Sequence, residues 1–95
     1  MDKYEILKNK LIKISKYINV LQLKNEASIS YLKQYKEYVN SLIVVVQKRT
    51  IRNSNGAALG LTRGISDYDE ICADDAFWNL VTDADNYYSS ECKQF

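Results

Sequence analysis

The chain contains no proline, no histidine and only three glycines in 95 residues. Without proline, and with so little glycine, it lacks the turn residues that an all-β sandwich needs at its many reversals. Without histidine it has lost the commonest general base, the usual switch near neutral pH and the commonest metal ligand. Long apolar runs are missing as well. The longest, Leu42 to Val46, has five residues, against the ~18–20 that a membrane span requires. Lysines interleave with the apolar residues of the N-terminus, so no signal-peptide core forms; the chain reads as soluble and cytoplasmic. Its two cysteines, Cys72 and Cys92, form no Cys-x-x-Cys pair. Zinc is therefore poorly served, and free thiols are the simplest reading. What is present is ordinary for a globular chain, 46% hydrophobic and 26% charged, which argues against wholesale disorder and for a single domain over residues 1–95.

The net charge of +1 conceals a division. Residues 1–52 hold eleven Lys/Arg against four Asp/Glu, a balance of +7, whereas residues 53–95 hold two basic and eight acidic residues, a balance of −6. Either the halves neutralise each other on folding, within the chain or across a dimer, or one of them presents a field to a partner.

The first half is helical by its periodicity. Tyr4, Leu7, Leu11, Ile14, Ile18 and Leu21 step by three and four, the spacing that places all of them on one stripe. Leu32, Tyr35, Val39, Leu42 and Val46 repeat it, and Ile29, Tyr31, Tyr38, Ile43 and Val45 widen it, which predicts a more buried second helix. The heptad phase continues through Asn25 and Ser28, so two architectures are open. One is a single coiled-coil helix of about 48 residues, some 70 Å long at ~1.5 Å per residue. The other is a hairpin of helices over 2–24 and 28–50, broken at Asn25–Ser28 with Ser28 as the cap.

Arg52-Asn53-Ser54-Asn55-Gly56 has the composition of a turn. Gly56, Gly60 and Gly64 fall four apart, so 53–65 is either a Gly-rich turn or a short helix with one small face; the Gly-Lys-Ser/Thr ending of a phosphate loop is absent. Ser66 followed by Asp67, Asp69 and Glu70 has the pattern of a capped helix start, predicting an acidic amphipathic helix over 67–89. At ~100° per residue its buried face is Ala73, Ala76, Phe77, Leu80, Ala84, Tyr87 and Tyr88. The opposite side carries Asp67, Asp74, Asp75, Thr82 and Asp85, with Ile71 and Trp78 two turns apart in one line. The expected fold is thus an all-α domain of three to four helices.

Apolar anchors ringed by carboxylates have the anatomy of a protein-binding face, the anchor supplying affinity and the charge steering and specificity. Trp78, Ile71, Asp67, Asp74, Asp75 and Asp85 are the candidate partner-binding residues; a kink near Asp74 would instead turn Trp78 inward. Catalysis has little to work with. Asp74 and Asp75 are helix neighbours pointing ~100° apart and do not form a proton-sharing dyad. Asp83 and Asp85 resemble the start of a calcium loop, but Tyr88 and Gln94 occupy its glycine and glutamate positions. No enzyme activity, metal or cofactor is expected.

Three functions fit these surfaces. The first is an inhibitor or immunity-type protein whose acidic, Trp-anchored face blocks a basic toxin or nuclease. In size and charge style the chain is similar to the immunity proteins of bacterial toxins, a likeness of class with no shared motif. The second is nucleic-acid binding by the basic hairpin, through Lys3, Lys10, Lys13, Lys16 and the tyrosines. The third is a coiled-coil adaptor or homodimer.

Overall fold

The computed structural model describes residues 2–95, which form five helices and no strand: α1 (Lys3–Ile18), α2 (Glu26–Gln47), α3 (Leu61–Ile65), α4 (Asp69–Cys72) and α5 (Asp75–Glu91). None is long and apolar enough to cross a membrane.

α1 begins where the Asp2 carboxylate accepts the Glu5 amide at 2.8 Å, satisfying one of the unpaired donors of the first turn. Its predicted stripe is the one that is buried: Leu7, Leu11 and Ile14 are fully enclosed and Ile18 nearly so. The helix stops at Ile18, well short of the expected residue 24, and the Asn19 and Val20 amides turn the chain by bonding the Lys16 and Tyr17 carbonyls. α2 then starts at Glu26, and its cap is Asn25 rather than Ser28. The Asn25 Oδ1 accepts the amides of Ala27 and Ser28 at 2.9 and 3.2 Å, and Ser28 lies buried inside the helix. The hairpin therefore holds and the continuous long helix does not. α2 runs back along α1, with the Ser15 hydroxyl meeting the Asn40 side chain midway and Arg49 pairing with Asp2 at the far end. The heptad seam is filled from within the chain, by Leu32, Tyr35, Val39 and Val46. Of the residues expected to widen it, Ile29 and Tyr38 are exposed.

α2 ends in a Schellman motif. Thr50 N–H bonds the Val45 carbonyl and Arg49 N–H that of Val46, with Arg49 itself in the left-handed region at φ 58°. The segment that follows is loop, not helix, up to Gly60. It is fastened to α5 by Ser54 N–H on the Cys92 carbonyl and by the Tyr88 hydroxyl on that of Arg52, both at 2.8 Å. The three glycines share no face, since only Gly64 is helical. There a Cβ would stand 3.2 Å from the Tyr31 hydroxyl and 3.4 Å from the Tyr35 ring, so glycine permits α2 to close on α3.

The predicted helix over 67–89 is divided. Asp74 is extended, and its Oδ1 accepts the Phe77 amide at 2.9 Å, making it the cap of α5. Aspartate competes for nearby backbone amides and so favours a cap over a helix interior. Ser66 caps no helix start; it closes α3, its hydroxyl donating to the Arg63 carbonyl. Within α5 the buried face is Phe77, Val81, Ala84, Asp85 and Tyr88, turned from the expected one by the seating of Asp85 on the amides of α3, while Ala73 and Ala76 are exposed and Leu80 and Tyr87 half-buried.

α1 is the middle helix. α5 packs antiparallel along its other side, tied by Tyr17 to Asp74, Lys10 to Asp83 and Lys3 to the Gln94 carbonyl. α3 spans from α2 to α5: Tyr31 and Tyr35 donate to the carbonyls of Gly64 and Leu61, and Asp85 accepts from α3's first amides. Phe77 sits at the centre, stacked on Tyr17 at 5.8 Å and edge-on to Tyr35 at 6.1 Å. Fully burying a side chain of this size stabilises by about 1.5–3 kcal/mol.

Candidate functional site

The break at Asp74 redistributes the six predicted binding residues. Ile71 is fully buried in α4. It faces the core because α4 and α5 are separate helices, so it does not stand in line with Trp78, and its place in a binding face is withdrawn. Asp85 is withdrawn too. It is 5% exposed, and its carboxylate accepts three backbone amides, Leu59 and Leu61 on Oδ1 at 3.1 and 3.2 Å and Thr62 on Oδ2 at 2.8 Å. It stands in for the capping side chain that Gly60, in the left-handed region, cannot provide for α3. Asp74 is half-buried and occupied twice, by the Phe77 amide and by the Tyr17 hydroxyl at 2.8 Å. That last bond, followed by burial, holds the Tyr17 phenol above its ordinary pKa.

Asp67 and Asp75 are exposed, and so is Asp69. The ion pairs among the described residues are Lys8–Glu5, Lys10–Asp83 and Arg49–Asp2, so these three carboxylates have none. Trp78 lies half-buried in the first turn of α5, packed on the core by part of its ring. With Ser66, Cys72 and Asp75 it borders a shallow recess of about 380 Å³. Cys72 is a poor nucleophile there. Burial, then the carboxylates of Asp69 and Asp67, push its thiol up, and Sγ donates to the Ile65 carbonyl. Cys92 is buried, and both cysteines are free.

Ser66 and Cys72 were not among the predicted site residues. In one continuous helix Cys72 and Trp78 would be ~120° apart; the break brings them to one recess. The signal lay in the Asp74-Asp75 pair, since an aspartate so placed can end one helix and start the next.

The basic half is less free than its count suggests. Lys10 pairs with Asp83 and Lys3 with the Gln94 carbonyl, while Lys13 and Lys16 remain exposed. Most of its tyrosines are engaged within the chain: Tyr4 stacks on Phe95, Tyr17 on Phe77 and Tyr31 on Tyr68, and Tyr35 is buried, which leaves Tyr38 exposed. The aromatic part of a nucleic-acid surface is thereby largely used in the fold. Among the described residues no three acidic or cysteine side chains converge as a metal-ligating group. No protein-family model matches the chain, and neither a curated protein nor a solved structure is significantly similar to it.

Proposed function

We propose that this is a small inhibitor-type binding protein that docks on a basic protein partner, such as a toxin or nuclease, through the corner where α3, α4 and α5 meet. The observation that carries the reading is the division of labour among the acids. Asp74, Asp83 and Asp85 are engaged by partners within the chain, whereas Asp67, Asp69 and Asp75 stand exposed and unpaired, Asp75 on the recess that Trp78 borders and Asp67 and Asp69 close enough to act on the Cys72 thiol of the same recess. Unpaired carboxylates around an aromatic anchor supply steering and a gripping point. The reading assigns no catalysis and no cofactor.

Its test is capture from the native host with wild type, Trp78→Ala and the triple variant Asp67→Asn/Asp69→Asn/Asp75→Asn, followed by affinity measurement on the purified partner. The expected result is a basic protein whose affinity falls at least about tenfold in both variants, with association slowed by salt. The triple variant changes only exposed side chains and keeps the fold, so equal capture by it removes the acidic corner from the mechanism.

A second reading, nucleic-acid binding through α1, is favoured by the exposed and unpaired Lys13 and Lys16. A gel shift at low salt decides it: no retardation ends it. The adaptor reading loses the seam that motivated it, because that seam is packed within one chain.

A further inference from the structure

The turn between α1 and α2 leaves a groove of about 510 Å³ at the end of the hairpin. Its floor is aliphatic, with Leu21, Leu23, Ile29 and Leu32, and Lys33 and Lys36 stand along one wall. Ile29 is 38% exposed, although it lies within the amphipathic α2. Leu21 and Leu23 lie in the turn beyond the early end of α1, which takes Leu21 off the helical stripe. Lys36 donates to the Asn19 side chain across the groove, and neither lysine has a carboxylate partner among the described residues. Lys24, in the same turn, has none either, and Glu26 and Glu37 of α2 stay outside the lining.

We infer that this groove is a second docking site, and that it takes an acidic amphipathic segment of a protein partner: apolar side chains on the aliphatic floor, carboxylates on Lys33 and Lys36. The charge is opposite in sign to that of the Trp78 corner, so the site is independent of the reading above. An apolar groove edged by one sign of charge matches a helix laid in face down, with anchors spaced by three and four residues. Nucleic acid is a poorer fit, because the floor offers no aromatic ring for base stacking. A bilayer is also a poorer fit, since interfacial anchors present an apolar ridge and this surface is recessed.

The probe is a helical peptide with leucines on one face and glutamates on the other, added to the full chain and followed by amide chemical shifts and fluorescence anisotropy. Shifts concentrated at residues 18–36 are expected. Ile29→Glu and Lys33→Glu/Lys36→Glu should each weaken binding about tenfold, with both variants keeping the wild-type amide spectrum elsewhere because these side chains lie at the surface. A scrambled peptide of the same composition should bind much more weakly. The inference is overturned if shifts fall instead on α4 and α5, if the scrambled peptide binds equally, or if nothing binds. It is overturned equally if anionic phospholipid vesicles, and not the peptide, move these amides, or if the chain self-associates through the groove in sedimentation. Trp78→Ala should leave peptide binding unchanged, which separates this site from the acidic corner.

Discussion

Replacing Asp85 distinguishes the structure from the simple charge pattern most sharply. As a surface acid its removal would change stability by no more than about 0.5 kcal/mol. In the fold it is a buried acceptor for three amides, at 3.1, 3.2 and 2.8 Å. Asp85→Ala leaves those donors without a partner, and a buried unsatisfied donor costs about 1–3 kcal/mol. Leu61 is fully buried, while Leu59 and Thr62 are half-buried and recover some water, which brings the total to about 3–5 kcal/mol. That is a large share of the ~5–14 kcal/mol expected for a domain of this size. In urea, with a slope of about 1–1.5 kcal/mol per M, the midpoint should fall by about 2–5 M. Asp85→Asn keeps one carbonyl acceptor but turns an amide donor toward another donor, so it should lose about 1–3 kcal/mol. A midpoint for Asp85→Ala within error of wild type, or asparagine as harmful as alanine, would refute the capping role.

The phenols of Tyr17, Tyr31, Tyr35, Tyr38, Tyr87 and Tyr88 are all raised, Tyr17 chiefly by its bond to Asp74 and the others chiefly by burial. A raised folded-state pKa adds stability that is fully present below the unfolded value near 10 and is lost as pH rises through the folded values. Urea midpoints should therefore fall above pH ~10, and tyrosinate absorbance should rise late and together with unfolding. Asn25→Ala removes the acceptor for two amides of α2 and should cost about 1 kcal/mol by urea titration. Arg49→Gly relieves a left-handed residue by about 1–2 kcal/mol. It also gives up a solvent-exposed ion pair to Asp2 and a cation–π contact with Tyr4, so the gain should be largely offset and the urea midpoint should move little. Phe77→Ala should lose about 3–5 kcal/mol, because the ring is fully enclosed between Tyr17 and Tyr35.

The residues that announced the fold were those whose spacing fixes one face. Leu7, Leu11, Ile14 and Ile18, with Leu32, Tyr35, Val39 and Val46, were legible because a three-four stripe can be buried in only one way. Helix ends were harder, since they depend on which side chain reaches which amide. Asn25 and Asp74 have the same capping chemistry as Ser28 and Ser66, and only the folded backbone decides which of them reaches an amide. The binding face was legible only in part. Counting ~100° steps through Asp74 sets Ile71 in line with Trp78, and the break there carries Ile71 inward; Asp85 lies inward for a different reason, as the acceptor of the amides at the start of α3. Asp67, Asp75 and Trp78 stay at the surface or partly open to it.

Glu70 has a wider consequence than its single carboxylate suggests. It reaches from α4 to the backbone amides of Lys24 and Asn25, the residues that launch α2. A helix of four residues has almost no stability of its own, so α4 is kept in place by this clasp and by the enclosed side chain of Ile71. The clasp joins the aliphatic groove to the acidic corner mechanically. Hydrogen exchange should find the amides on both sides of it opening as one unit, ahead of the three long helices. Glu70→Gln should then speed exchange in both segments and leave the core amides as they are.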